Sequence, residues 1–514
     1  MMTTPPTFPP GGRRPRLVEP NERLAFNYAS ATVPADAVDR ETVAAAPAAP
    51  FAALPAAASS RWAYLGALAF TTVLLLRPQD NIPGLGALHL AQVFAVFGVA
   101  ALMVHRFAHR LPLVKLTPEI AALAALGFVI LATAPFSIWP GGVVSVFMDS
   151  YLKIVVIFVL LISTVTTPKR LDQFTWLILL CCGYIAFRAC FDYARGINLV
   201  ENGRVAGAVS GIFGNPNDLA LNMVTFMPAA LMVALAPRHS AIRRLTAAAI
   251  AAMMMATVIF TKSRAGVLGL GVMLITFMIL GRKFRPTFTV GVLACLLLVT
   301  PFMPASFWNR MATIVDEEQD KTQFTGSAEA RRVLLQEGFN TFLELPLTGV
   351  GAGQFKNYNP NSRRERWRET HNTVLQVAAE TGIFGFAAFV VLIACGALAA
   401  RRTRRMLARP RRRHAADPLG LTINDGERQW LRAYAEAMTA GLVGWFVCAM
   451  FASVAYSWTF YYLLALIVAS RDIVAARLAA ARAVQAGAVI VGAQPSERFS
   501  PEKEKGASWT PQIA

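Results

Sequence analysis

Apolar residues in this chain come in long unbroken runs. Alternation of period two is absent, and few segments show a single apolar stripe of helical period. A helix needs about 20 apolar residues to cross a bilayer, and about twelve stretches approach that length. They lie at 62–76, 88–105, 117–138, 142–166, 173–194, 213–236, 243–261, 265–281, 286–305, 372–400, 432–452 and 456–475. The pattern predicts an all-α polytopic membrane protein of about twelve transmembrane helices. Helices one to nine fill 61–305 and the last three fill 372–475. The polar intervals are short except for 306–371, which is too polar to span and too long for a simple connector, so it is expected to fold over one face. Residues 1–60 are rich in Pro and Ala and lack either periodicity, as does most of 476–514. Both read as disordered tails, and the apolar run Ala486–Val491 is too short to cross.

Charge fixes the orientation. Of the 514 residues 55% are hydrophobic and 15% charged, well below the roughly one quarter usual for soluble domains. The formal net charge of +19 would suit nucleic acid, but the cations fall between apolar runs, as topology signals do. Basic clusters follow spans two, four, six, eight and ten: His105-Arg106 to Lys115, Lys169-Arg170, Arg238 to Arg244, Arg282-Lys283-Arg285, and Arg401 to Arg413. By the positive-inside rule these loops are cytoplasmic. An even number of spans then places both termini in the cytoplasm and the long loop on the periplasmic or exterior side. The Arg401–Arg413 run reads as a topology anchor, with the binding of anionic lipid head groups as the alternative.

Other features narrow the chemistry. Cys181, Cys182, Cys190, Cys295, Cys395 and Cys448 all sit in apolar runs, without C-x-x-C spacing or a nearby histidine. They predict neither a disulfide framework nor a metal site. The first sixty residues hold no signal-peptide h-region, so the span at Trp62 is expected to be an uncleaved anchor. Asp149 with Lys153 and Arg188 with Asp192 are spaced i,i+4 and predict ion pairs on one helix face. No P-loop and no G-x-G-x-x-G after a strand suggests ATP or a nucleotide sugar, and no cofactor is expected.

Three clusters on the expected outward side break local rules. In the first, Gly203-Arg204-Val205-Ala206-Gly207 precedes Gly214-Asn215-Pro216-Asn217-Asp218. Asn215 suits an N-cap and Pro216 the first helical position, so a helix points its positive end outward beside Arg204. In the second, Thr261-Lys262-Ser263-Arg264-Ala265-Gly266, Ser263 caps a helix whose first turn holds Arg264. The macrodipole disfavours that cation, as does the topology bias, and an anionic partner would relieve both. In the third, Glu369-Thr370-His371-Asn372-Thr373, His371 opens a helix and is the outward histidine beneath the long loop. The helix end favours its neutral form, the one a general base needs. Asn372, Gln376 and Glu380 continue as a polar stripe expected to face the bundle. Glu380, nine residues on, lies ~13 Å away along the axis and is not expected to orient His371. Each cluster has a plainer reading: an ordinary helix start with a loop arginine, a snorkelling arginine, a capping surface histidine. Taken jointly, two arginines and a helix N-terminus could neutralise a diphosphate leaving group while a neutral histidine takes a proton from an attacking hydroxyl.

With these residues assembled, the sequence resembles the O-antigen ligase/polymerase superfamily. The resemblance rests on Arg204 with Asn215–Ala220, Ser263-Arg264-Ala265-Gly266, Ser327–Arg331 leading into Leu345–Gly353, and His371-Asn372-Thr373 with Glu380–Gly385. It implies a GT-C-like, metal-independent glycosyltransferase that takes a glycan from undecaprenyl diphosphate at the periplasmic face. By position, Arg204 and Arg264 would hold the diphosphate and His371 would activate the acceptor. Asn215, Asn217, Ser263, Arg331, Asn372 and Glu380 would bind substrate. The expected acceptor is lipid A-core or another polysaccharide.

Three functions compete. A ligase would move a finished polymer, and Trp308, Trp367 and the run Arg363-Arg364-Arg366-Arg368 could then meet a phosphorylated acceptor. A polymerase would join two carrier-linked repeat units with the same residues. A twelve-helix transporter would be expected to show two six-helix halves around a cytoplasmic linker, and the long insert is misplaced for that.

Overall fold

The computed structural model describes residues 60–200, 203–207, 213–281, 291, 305–312, 327–408 and 423–485. Nearly all of the expected ninth span with Cys295, the Arg282-Lys283-Arg285 cluster, residues 1–59 and 486–514, and the distal part of the Arg401–Arg413 run lie outside them; residues 476–485, expected to begin a disordered tail, continue the last helix.

Helix starts are written locally. Ser60 caps α1 (Arg61–Leu76), its Oγ accepting from Ala63 N at 3.2 Å. Thr117 caps α3 (Pro118–Thr133), which follows α2 (Leu90–Ala108). Next come α4 (Pro140–Val146) and α5 (Leu152–Thr164), joined without a break by a wide turn at Phe147–Tyr151. Thr167 caps α6 (Pro168–Arg195). In each of these three cases a hydroxyl satisfies an orphan N–H, and in the last two Pro fills the first helical position, where no donor is needed. A two-residue hairpin, β1 (Leu199–Val200) with β2 (Arg204–Val205), leads to α7 (Pro216–Leu235), α8 (Ala241–Phe260) and α9 (Arg264–Leu280). Among the described residues, the long polar interval holds the helices α10 (Ala305–Ala312) and α11 (Ser327–Glu344). The chain closes with α12 (Thr373–Ala408), α13 (Asp425–Ala449) and α14 (Trp458–Gln485).

The protein is an all-α polytopic membrane protein. Eleven of the twelve expected spans coincide with these helices. Seven helices among the described residues meet both the length and the apolarity needed to cross a bilayer; α9 is apolar but shorter. The expected pairs form: Lys153–Asp149 at 3.5 Å, exposed, and Arg188–Asp192 at 4.0 Å, where Asp192 is buried and also accepts from Asn198 Nδ2 at 2.6 Å.

Close approach at α13 positions the site. A Cβ on Gly441 would lie 2.4 Å from Thr225 O of α7, and one on Gly444 would lie 2.8 Å from both Val224 of α7 and Met273 of α9. These small residues let three backbones pack together, as is usual between membrane helices. Side-chain contacts sort the helix ends into two groups. One is basic, with Tyr64 bonded to Arg170 O, Arg243 to Asp172, Lys115 to Asp472 and Arg471 to Glu119. The opposite end carries the hairpin, the starts of α7, α9 and α12, and the 345–372 segment.

Candidate active site

Asn217 ties two of the outward motifs together. Asn215 Oδ1 accepts from Asn217 N at 2.8 Å, capping α7 and turning the Asn217 side chain toward α9. Asn217 Oδ1 then accepts from Arg204 Nη2 and from Ser263 Oγ, both at 2.8 Å. Arg204 Nε donates to Thr261 O at 2.9 Å, and Ser263 Oγ accepts from Gly266 N at 3.1 Å to cap α9. Arg204 is buried to 5% exposure, so the loop arginine expected from sequence is a strut between the hairpin and the α8–α9 turn. Lys262 is also buried, in a left-handed conformation (φ 48°), close to Gly203. Arg204, Lys262 and Arg264 thus gather beside the positive ends of α7 and α9. Lys262, an outward cation beside a helix start, joins the candidate residues by the same signal that marks Arg264.

The second cluster is built on the start of α12. The helix begins at Thr373; Asn372 caps it, its Oδ1 accepting from Leu375 N at 2.9 Å. His371 therefore sits one residue outside the cap, at φ 49°, and does not itself open the helix. Its backbone N donates to Ser453 Oγ at 3.0 Å, while its ring makes no hydrogen bond among the described residues. Burial, with the charges of Arg331 and then Arg368, pushes its pKa down to about 4. The imidazole is neutral at pH 7. The cause is more specific than the helix end invoked from sequence: desolvation and two arginines. Arg331, on α11, is thereby brought within electrostatic reach of His371.

The stripe below His371 faces the bundle. Asn372 Nδ2 donates to Met450 O at 3.2 Å, Thr373 Oγ1 to Ala452 O at 2.7 Å, and Gln376 Oε1 accepts from Ala455 N at 3.3 Å. Glu380 is buried, and its Oε2 accepts from Gly353 N at 2.8 Å and from Gln376 Nε2 at 3.5 Å. Just beyond, Gly382 breaks α12 (φ 66°, ψ −166°). The interrupted backbone is satisfied by the glycine-rich segment Leu345–Gly353: Val350 N donates to Ala379 O at 3.0 Å, Gly351 N to Glu380 O at 2.8 Å, and Ile383 N to Pro346 O at 2.8 Å. Non-helical backbone at such depth is tolerated where protein covers it. Glu380 thus fastens the segment that leads to His371 and does not meet His371 itself.

Two observations join the clusters. Cys448 Sγ, at the end of α13, contacts Ala265 O at 3.5 Å, one residue from Arg264; Met450 and Ser453, just after, hold Asn372 and His371. Glu369 lies within electrostatic reach of Asp218, in the first turn of α7, and of Glu380. The surrounding protein raises the Glu369 carboxyl above its usual range against the pull of Lys356, although the residue as a whole is exposed. The basic run 363–368 does not present a single face, because Arg363 is buried. Among the described residues no three His, Cys, Asp or Glu side chains are grouped to hold a metal ion.

Residues 249–390 match the O-antigen ligase family. The match runs from within α8 into α12 and contains Ser263, Arg264, Arg331, His371, Asn372 and Glu380; Arg204, Asn215 and Asn217 precede it. No curated protein sequence gives a significant match to the chain.

Proposed function

We propose that this polytopic membrane protein, related to the O-antigen ligase family, is a glycosyltransferase that moves a glycan from undecaprenyl diphosphate to an acceptor hydroxyl without a metal ion. The positive-inside reading puts the basic end in the cytoplasm and the site at the periplasmic face of the inner membrane. The observation that supports the proposal is the bridge through α13, which links the helix start bearing Lys262 and Arg264, the pocket proposed for the diphosphate, to the neutral His371.

In the step proposed, the acceptor oxygen forms a bond to the anomeric carbon of the glycan. The bond from that carbon to the diphosphate breaks, and its electron pair leaves with the diphosphate. The acceptor proton goes to the His371 ring. Arg264 and Lys262, with the start of α9, offset the charge growing on the leaving group, which is the interaction that accelerates the step. Arg204 and Asn217 hold that pocket in shape, and Asn215 and Ser263 fix its two helix starts. Asn372 and Glu380 set the position of His371 and of the 345–372 segment. A bound diphosphate would also cancel the field of Arg331 on His371 and raise its basicity when the donor is present.

The test is a deletion strain in which glycan lengths on the carrier and on the cell surface are compared. Long carrier-linked polymer with a bare acceptor supports a ligase acting on lipid A-core or another polysaccharide. Single repeat units in either pool would support a polymerase. No change in either pool in a strain lacking related enzymes would refute the transferase reading.

A further inference from the structure

The 358–368 segment is held by an internal knot. Arg363 turns inward: Nη1 donates to Phe355 O at 2.6 Å and to Tyr358 O, Nη2 donates to Arg368 O at 2.7 Å, and Nε meets Glu337 Oε2 of α11 at 3.2 Å. Its guanidinium also stacks 4.1 Å from the Phe355 ring centroid. Glu337 Oε1 accepts from the backbone N of Arg364 at 2.6 Å and of Glu365 at 3.2 Å. Asn359 Oδ1 accepts from Trp367 N at 2.8 Å, holding Trp367 at φ 61°, a conformation unfavourable for a bulky residue.

The side chains left over point outward. Arg368 pairs with Glu365 at 3.2 Å, but Arg364 and Arg366 pair with no carboxylate among the described residues, and Trp367 is 70% exposed. The charge of Arg368, next to Trp367, reaches His371. A fixed backbone that displays an indole and two guanidinia beside the reactive histidine is preorganised for recognition. An indole offers a flat apolar face to a sugar ring, and guanidinium forks match phosphate or carboxylate. Charged residues at 363–366, 368 and 369 surround Trp367, unlike an aromatic seated between an apolar span and head groups.

We propose that Arg364, Arg366 and Trp367 form the acceptor-binding surface and that the acceptor is an anionic saccharide. This rests on His371 as the base for the acceptor hydroxyl. The test uses purified full-length protein in phosphatidylcholine nanodiscs. Binding is measured for phosphorylated core oligosaccharide, the same oligosaccharide after phosphatase treatment, and an oligogalacturonate. Wild-type protein should bind at least one anionic probe, more weakly as salt rises. Trp367→Ala and the double variant Arg364→Gln/Arg366→Gln should each weaken that binding about tenfold, the loss of roughly one ring-stacking contact in the first and one charge-assisted contact in the second. The double variant should leave binding of the phosphatase-treated probe unchanged.

Failure of wild type to bind either anionic probe, or unchanged affinity in both variants, overturns the proposal. Quenching of Trp367 fluorescence by brominated acyl chains, isolated by difference from Trp367→Phe, would do the same in favour of a membrane contact. Binding by His371→Ala separates the two readings. That variant should bind the probes as wild type does while failing to transfer. If it transfers glycan, the base assignment falls while the binding result on the loop stands.

Discussion

The depressed basicity of His371 can be read directly in a pH profile. A fall from 6.5 to about 4 corresponds to about 3 kcal/mol of differential interaction between the two protonation states. At pH 5.5 an unperturbed histidine would be about 9% neutral, whereas one with a pKa near 4 would be about 97% neutral. Only the neutral form can accept the acceptor proton, so the free enzyme should keep its activity well into mild acid. The assay is kcat/KM for glycan transfer between pH 4.5 and 8, which reports ionisations of the free enzyme. It is best run in a Glu369→Gln background, because the Glu369 carboxyl is raised and could add a limb of its own. The acid limb should stay below pH 5. Replacing Arg331 with Gln removes one of the two cations that lower the pKa and should move the limb upward, toward 6.5. A wild-type limb centred near 6.5, or an Arg331→Gln profile that does not move, would refute the electrostatic account of His371.

Asn217→Ala should lower stability by about 2–4.5 kcal/mol, since Arg204 and Ser263 both lose an acceptor; thermal unfolding in detergent measures this. Gly382→Ala should cost at least about 3 kcal/mol, because its Cβ would lie 2.5 Å from the Leu347 carbonyl at a backbone angle that only glycine adopts readily. Loss of the monodisperse peak in size-exclusion chromatography is its signature. Glu337→Gln leaves Arg363 buried without its counter-charge and should destabilise the 345–372 segment by about 3–5 kcal/mol, seen as faster proteolysis there. Metal independence predicts full transfer after exhaustive EDTA treatment, with no gain on adding Mg²⁺ or Mn²⁺.

Helix positions and capped starts were legible in the sequence because they depend on neighbours a few residues away. Apolar runs, Asn215-Pro216 and Ser263 marked them directly, and the i,i+4 pairs followed from helical spacing. Which residues share a motif was also visible, since Arg264 stands out against the charge bias and Arg204 and His371 adjoin outward helix starts. The tertiary structure decided what each does with its side chain. Arg204 spends two donors on Thr261 and Asn217, and Arg363 turns inward to Glu337, because buried guanidinia must be satisfied by groups distant in sequence. The break at Gly382 and the segment that fills it lie some thirty residues apart, with no local signal linking them. The lowered pKa of His371 likewise depends on arginines at 331 and 368, and a field of that kind exists only once the chain has packed.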